Sequence, residues 1–583
     1  MPAPLPANVA KAGERLHSGG VHPLDGQDMT SIVINGFAGM TPLISPRLLG
    51  ESAAQFAEDC DIRSGSLASM LGLSDHGNLP KPAPIKSIYR YDQNQTLDSL
   101  YWFTWQDDVN VAMGLLAQNA EQFCYFTGDD YPRLTYFSAA TGGGSDYPVV
   151  SYQMGTPAPS IVPSPTVLVN GTGDTETRFY VFTYVAKYLS GSRVFEGPPS
   201  SPASVDVLPT GATVRVSGLG TSAPNTGAYP TSGNYLITHK RIYRTIPGSD
   251  EEFFYVGEVA INASYFDDAL TNNVVAQQGL LETALYDPAP IGLTGLIAIN
   301  NAMLAGFDGM DWYCSELNQP HAWPTDYRKS LDAEIVMHQP IGGNAVVVCT
   351  KTVPHIISGT RPEAMTREPL AFPQACVAKR SMVTVPGGAV YASPDGLCLV
   401  GPGVQRVLTE GILSRAQWQA YKPESMHGYW FENQYIAFFD TGSRTGGLVY
   451  EPRSNTLIET DIYATGGYVD PLHDALFLAV TEAGVARLKK WSGGTARTFT
   501  WKSRQYQLRK PSNLSFARVM ASAYPVTLKV TADGVERTYT VSGPAEFRLH
   551  SGFMAQVWEV QAQGTGTVYQ VVLSDSSEEI ASL

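Results

Sequence analysis

The strongest constraint on this chain is a recurring unit of two hydrophobic strands around a polar turn. GLIAINNAMLAGFDGMDWYCSE begins at Gly295, GGNAVVVCTKTVPHIISG at Gly342, GGAVYASPDGLCLVGPG at Gly387, GYWFENQYIAFFDTG at Gly428 and GGYVDPLHDALFLAV at Gly466. The starts are spaced by roughly 40 to 47 residues, the period of β-propeller blades. A unit of that size cannot bury its apolar faces alone, so its neighbours must stack around it. With 55 Gly and 40 Pro in 583 residues, turn-formers interrupt the chain too often for helix bundles. The expected fold is mainly β, with a propeller over residues 288–500. SIYRYD, SLYWFTW and QFCYFTG, within residues 85–137, are aromatic and β-branched strands expected to supply one further blade and close the ring from the N-terminal side.

Length implies several units, at roughly 150 residues per domain. Residues 1–30 are rich in Pro, Gly and Ala without apolar periodicity and read as an extended arm. Residues 31–155 hold a hairpin and the first propeller strands. In the hairpin Phe56, Cys60 and Ile62 take one face, Asp59, Asp61 and Arg63 the other, and Ser64-Gly65 turns the chain. GTPAPSIVPSP and DPAPIG bracket residues 156–287, where TRFYVFTYVA, ATVRVSGL, KRIYRTI and EEFFYVGEV repeat with the rhythm of one fibronectin- or immunoglobulin-like β-sandwich. Proline-rich linkers on both sides make that insertion look separable from the propeller. Residues 501–583 alternate cleanly in VTLKVTADG and form a small C-terminal β-domain.

Chemistry-bearing patterns are sparse. No phosphate-binding loop, His-Glu-x-x-His, Gly-x-Ser-x-Gly or dinucleotide fingerprint occurs, so no catalytic, cofactor-binding or metal-ligating residue is assigned. The richest cluster, DWYCSELNQPHAWPTDYRKS from Asp311, is broken by Pro320 and Pro324 and reads as a strand end followed by a loop pinned by Trp323. His321 there is a hydrogen-bonded loop residue rather than a ligand. Asp129-Asp130, Asp267-Asp268 and Asp308/Asp311 read as turn residues. The six cysteines lack any Cys-x-x-Cys pair, in keeping with reduced thiols. MPAPLPANVAKAGERLHSGG has no apolar core of signal-peptide length, and the longest apolar run, residues 475–480, is too short to span a membrane, so synthesis in the cytosol is expected. Acidic residues outnumber basic ones 54 to 39, a net −15 that argues against a protein wrapping nucleic acid tightly.

An ordered series of segments resembles the tail nozzle proteins of short-tailed bacteriophages, the tail tubular protein B family. The series comprises ISPRLLGESAAQFAEDCDIRSGSL, GFDGMDWYCSELNQPHAWP, PQACVAKRSMV, GGAVYASPDGLCLVG, LTEGILSRAQWQAY, FTWKSRQYQLRKPSN and RLHSGFMAQVWEV. The resemblance implies a non-enzymatic virion protein built on a propeller. It further implies a homo-oligomeric ring, usually a hexamer, assembled in the host cytoplasm and attached below the portal and adaptor. Such a ring carries the exit channel, touches the genomic double-stranded DNA transiently, retains it until ejection and bears tail fibres or spikes. An acidic lumen would let the polyanion pass without adhering. The alternative is a glycan-binding or glycan-cleaving propeller with a fibronectin-like accessory module.

One charge pattern points to an interface. Residues 483–531 hold ten Lys or Arg and no Asp or Glu; removing those ten from 39 leaves 29 basic against 54 acidic residues elsewhere, a net −25. Arg487, Lys489, Lys490, Lys502, Arg504, Arg509 and Lys510 are therefore expected to meet an acidic face of the next subunit or the adaptor. Alternation in WKSRQYQLR would put Lys502, Arg504, Tyr506 and Leu508 on one face and Ser503, Gln505, Gln507 and Arg509 on the other.

Overall fold

The computed structural model describes residues 30–91, 101–114, 122–222, 235–300, 302–550 and 552–582; apart from Thr30, the N-terminal arm lies outside them. Each recurring unit forms an antiparallel sheet of consecutive strands. One comprises Ile335–Gly342, Ala345–Thr350, Pro354–Ser358 and Thr366–Pro369. Its second strand, with Val347, Val348 and Cys349 fully buried, is sandwiched between neighbouring sheets and so reads as an unbroken apolar run, whereas Thr366–Pro369 is exposed throughout.

First strands pack side by side around an axis, running from Asn110–Met113 to Thr294–Ile299, Ile335–Gly342, Val383–Val385, His427–Phe431, Gly466–Asp470 and Ser87–Arg90. The N-terminal strands thus contribute two members of the ring rather than one. Ser87–Arg90 with Trp102–Trp105 makes a two-stranded sheet. Asn110–Met113, Cys124–Thr127, Arg133–Thr135 and Tyr152–Gln153 make a four-stranded one. Closure also uses a strand not foreseen in sequence: Ser74–Asn78 pairs antiparallel with Val485–Lys490 and completes the last sheet from the opposite end of the chain. On the axis, Arg90 Nη1 meets Asp470 Oδ2 at 2.6 Å with both side chains buried, joining the first and last inner strands.

The insertion is a β-sandwich. One sheet holds Ser164–Val169, Thr213–Ser217 and Phe266–Asp268; the other is ordered Arg193–Pro199, Glu176–Tyr188, His239–Ile246 and Ser249–Ala260, with Ala203–Val207 also paired to Glu176–Tyr188. Tyr180, Phe182, Val214, Val216 and Ile242 fill the space between them. Asp267 and Asp268 are strand residues rather than turn residues: Asp268 lies fully buried 2.8 Å from Arg244 Nε and accepts a bond from Tyr180 Oη, while Asp267 pairs with Arg215.

The linkers do not isolate this sandwich. Glu176–Tyr188 is 13 residues long, and its end carries Ala186 and Tyr188, with Phe195 opposite, into a core shared with Phe123, Leu293, Leu304 and Trp323 of the propeller. A Cβ on Gly197 would stand 2.3 Å from the Thr156 carbonyl oxygen, so the linker lies directly against the sandwich. The separability expected from composition is corrected: prolines stiffen the connections, but aromatic packing decides their mobility.

The C-terminal β-domain is likewise not made of residues 501–583 alone. Ser31–Ile34 pairs with Val568–Ser574, which pairs with Phe516–Ala521, and Phe56–Glu58 pairs with Phe499–Lys502 in a facing sheet that continues through Ala555–Gly564, Val526–Ala532 and Val535–Val541. Phe56–Glu58 also runs parallel to Thr456–Thr460, so this sheet is continuous with a propeller blade. Ile32, Trp501, Val519, Trp558 and blade residues Ile436 and Leu448 belong to one buried cluster. The N-terminal hairpin shifts phase at Asp59, whose φ is 54°: instead of facing solvent, Asp59 is buried and accepts bonds from Thr460 Oγ1 and Arg497 Nε.

Replacing residues 160–287 by a short Gly-Ser bridge should yield insoluble protein, because Phe123 and Trp323 lose their cover. Phe195→Ala in the full chain should cost about 3–5 kcal/mol, read as a lowered urea midpoint. Asp470→Asn, which leaves Arg90 buried without its countercharge, should cost about 3–5 kcal/mol by the same assay.

Candidate functional site

The seven candidate interface cations occupy three settings. Arg487 and Lys489 lie two residues apart on Val485–Lys490 and so share a face. Both reach the same carboxylates on the flanking strands: Arg487 approaches Glu482 at 3.3 Å and Asp75 at 3.8 Å, and Lys489 approaches them at 3.0 and 3.4 Å. Lys490, on the other face, is half-buried. These residues belong to the closure of the ring, and the charges of Arg487 and Lys489 are already matched within the chain.

Lys502 is matched too, meeting Glu559 Oε2 at 2.6 Å. Burial alone would raise the Glu559 carboxyl, but hydrogen bonds from Lys502 and Gln505 outweigh it and hold the pKa below its ordinary value. The alternation expected through WKSRQYQLR fails for a specific reason. Lys502 faces Gln561 and Tyr506 faces Trp558, so four steps on one strand oppose three on the other. This is a β-bulge, and its extra residue reverses the alternation. Ser503 sits in the bulge, fully buried, with its Oγ accepting from Val560 N.

Beyond the bulge the charges face outward. Arg504 donates to the Arg47 carbonyl at 2.9 Å and lies 5.7 Å from the Tyr506 ring centroid. Arg509 and Lys510 are exposed and, among the described residues, in no ion pair. Next to Arg504 runs the segment of residues 41–50, pinned by Leu43 N to Ile412 O and Gln505 N to Pro46 O. It presents Leu43, Ile44 and Leu48, the last 77% exposed. This apolar ridge beside Arg47 and Arg504 was missed in sequence because leucine and isoleucine read as core. The available signal was the pair Pro42 and Pro46, which prevents the intervening apolar residues from entering a strand interior.

The cluster from Asp311 to Ser330 is a structural corner. Trp323 Nε1 donates to Pro320 O at 3.1 Å, Glu316 accepts from Leu317 N and Tyr327 Oη, and Asp311 accepts from Ser330 Oγ. His321 is buried, with its ring stacked on Phe195 at 4.2 Å, and burial pushes its pKa down to about 3. His338 accepts from Trp312 Nε1 at 2.9 Å, and burial pushes it down to about 4. All six cysteines are buried and unpaired. Among the described residues there is no group of His, Cys, Asp and Glu fit to hold a metal ion, and no helix long and apolar enough to cross a membrane.

A wide groove of about 740 Å³ opens where the Arg63 turn meets two blades, lined by Trp430, Glu432, Glu451 and Asp474. Its carboxylates are partly engaged: Glu432 pairs with Arg63, and Glu451 accepts from Gln434 and from the Arg453 amide.

No protein-family model and no curated protein sequence matches the chain. Among solved structures, it has a likeness to a glycoside hydrolase family 43 arabinoxylan arabinofuranohydrolase from Bacillus subtilis, at 9% identity and a TM-score of 0.20 over 73% of this chain and 95% of that one. The extracellular domain of a hybrid two component system from B. thetaiotaomicron matches at 8% identity and a TM-score of 0.19, over 90% of this chain and 82% of that one. Likenesses this distant carry no functional argument.

The buried histidines make stability acid-sensitive. Their native pKa values lie below the unfolded value of about 6.5, so below that pH the unfolded chain binds more protons and stability falls as pH drops toward about 4. Each group contributes a slope of about 1.4 kcal/mol per pH unit over that window. The drop in urea midpoint from pH 7 to pH 5 should be smaller in His338→Gln than in the natural protein.

Proposed function

We propose that this chain is a structural subunit of a bacteriophage tail nozzle: a virion protein that assembles into a ring below the portal and adaptor and provides the DNA exit channel. The observation that supports this reading most is where the resembling segments lie. FAEDC near the N-terminus and FTWKS some 440 residues later are neighbouring strands, registered Phe56 to Lys502 and Glu58 to Thr500. Segments separated that far in sequence share one physical unit, as expected if the resemblance reflects a common body and not isolated coincidences. That unit also carries the apolar ridge of Leu43, Ile44 and Leu48 with its basic flank, a surface suited to association.

In this reading the propeller and C-terminal domain form the ring wall, and the sandwich gives outward contact with fibres or spikes. The acidic balance of the chain keeps passing DNA from adhering. The function is mechanical, with no bond made or broken. A second reading, a glycan-binding propeller, draws on the Trp430 groove, where an exposed aromatic edge and carboxylates could face a sugar.

Class-averaged electron micrographs of the purified protein mixed with adaptor-bearing heads should show rings with a central channel at the portal vertex. Arg504→Glu with Arg509→Glu, or Leu48→Asp, should reduce ring formation at least tenfold by sedimentation. Particles that remain monomeric and bind host polysaccharide through Trp430 would favour the second reading instead.

A further inference from the structure

The propeller axis holds a second cavity, about 140 Å³ in volume, walled by the inner strands Ser87–Arg90, Asn110–Met113, Ile335–Gly342, His427–Phe431 and Gly466–Asp470 and by the turn Lys379–Ser381 that precedes Val383–Val385. Its charged groups are Lys86, Lys379, Arg380 and one carboxylate, Asp108. Three cations facing a single anion run against the character of a chain whose net charge is −15. Structural roles account for only part of the set. Arg380 Nη2 donates to the carbonyls of Lys86 and Thr465 at 2.5 and 2.8 Å, which fixes the guanidinium between the blades. Lys379 Nζ meets Asp108 Oδ2 at 3.1 Å and the Asp108 carbonyl at 3.5 Å, which leaves one of its three donors. Lys86 is exposed at the mouth and, among the described residues, makes no ion pair. One further polar atom lacks a partner: Asn110 Oδ1 is buried without a donor, and rotation of the amide would turn its NH2 to the same place.

We propose that this axial cavity binds one small oxyanion group, a phosphate or the carboxylate of an acidic sugar, held by Lys86, Lys379 and the remaining guanidinium donors of Arg380. The volume admits one such group and excludes a nucleic-acid duplex. The carbonyls of Lys86 and Thr465 hold Arg380 and Asp108 holds Lys379, so two of the three cations are set in advance and the ordering cost of binding falls mainly on Lys86. A neutral sugar would leave the excess positive charge unanswered, and a metal cation would be repelled by it. The site is independent of ring assembly, because none of its residues lies on the ridge or the basic flank.

Isothermal titration at low ionic strength with inorganic phosphate, and separately with galacturonate, tests the assignment. The expected result is one-to-one binding of at least one probe, weakened about tenfold or more in Lys86→Ala and lost in Lys86→Glu. Sodium chloride at matched ionic strength serves as the blank and circular dichroism as the folding control. Phosphate alone, galacturonate alone, or both would each support the site and identify its preference. No binding of either probe, or equal binding by the natural protein and both Lys86 variants, would overturn it.

Discussion

Ring closure is the constraint on which this structure depends. A propeller built from consecutive sheets leaves two open edges where its ends meet, and an unpaired edge strand exposes backbone donors and acceptors. Here Ser74–Asn78 is laid onto Val485–Lys490, and the buried Arg90–Asp470 pair ties the neighbouring inner strands. The hydrogen bonds of the closing strand are supported by side chains that cross the same seam, since Arg487 and Lys489 reach both Asp75 and Glu482. Once the ends are held there, the segments before and after them emerge on the same side of the molecule.

That placement explains the rest of the architecture. Residues before the closing strand and those after Lys490 emerge together and fold into one two-sheet body, with Trp501 and Trp558 fully buried in its core. The body cannot rock freely on the propeller, because Phe56–Glu58 bonds to Phe499–Lys502 on one side and Thr456–Thr460 on the other. At the opposite flank, Tyr188 and Phe195 seat the inserted sandwich in the propeller core. Both attachments rest on packed aromatic residues and strand pairing, which resist relative motion of the parts. The proposed ring rests on that rigidity, whereas the axial anion site uses only residues at the propeller axis.

The sequence by itself determined the elements and their type. Period-2 alternation and Gly-Pro punctuation locate the sandwich strands, and the blade-sized recurrence identifies the propeller, because both patterns follow from local geometry and burial. The tryptophan-anchored corner at 311–330 was also legible, since Pro320 and Pro324 preclude regular structure there. Only tertiary structure decided how distant pieces share edges and charges. Ser74–Asn78, as SDHGN, carries no apolar signature and becomes a strand only because the last blade offers it an unpaired edge. The bulge at Ser503 reverses a face that alternation alone assigns to Lys502. Three of the seven candidate interface cations, Arg487, Lys489 and Lys502, are matched inside the chain, because Asp75 and Glu559, distant in sequence, lie beside them in space. Arg509, Lys510 and the ridge at Leu48 remain at the surface because, among the described residues, no part of the chain reaches over their side chains.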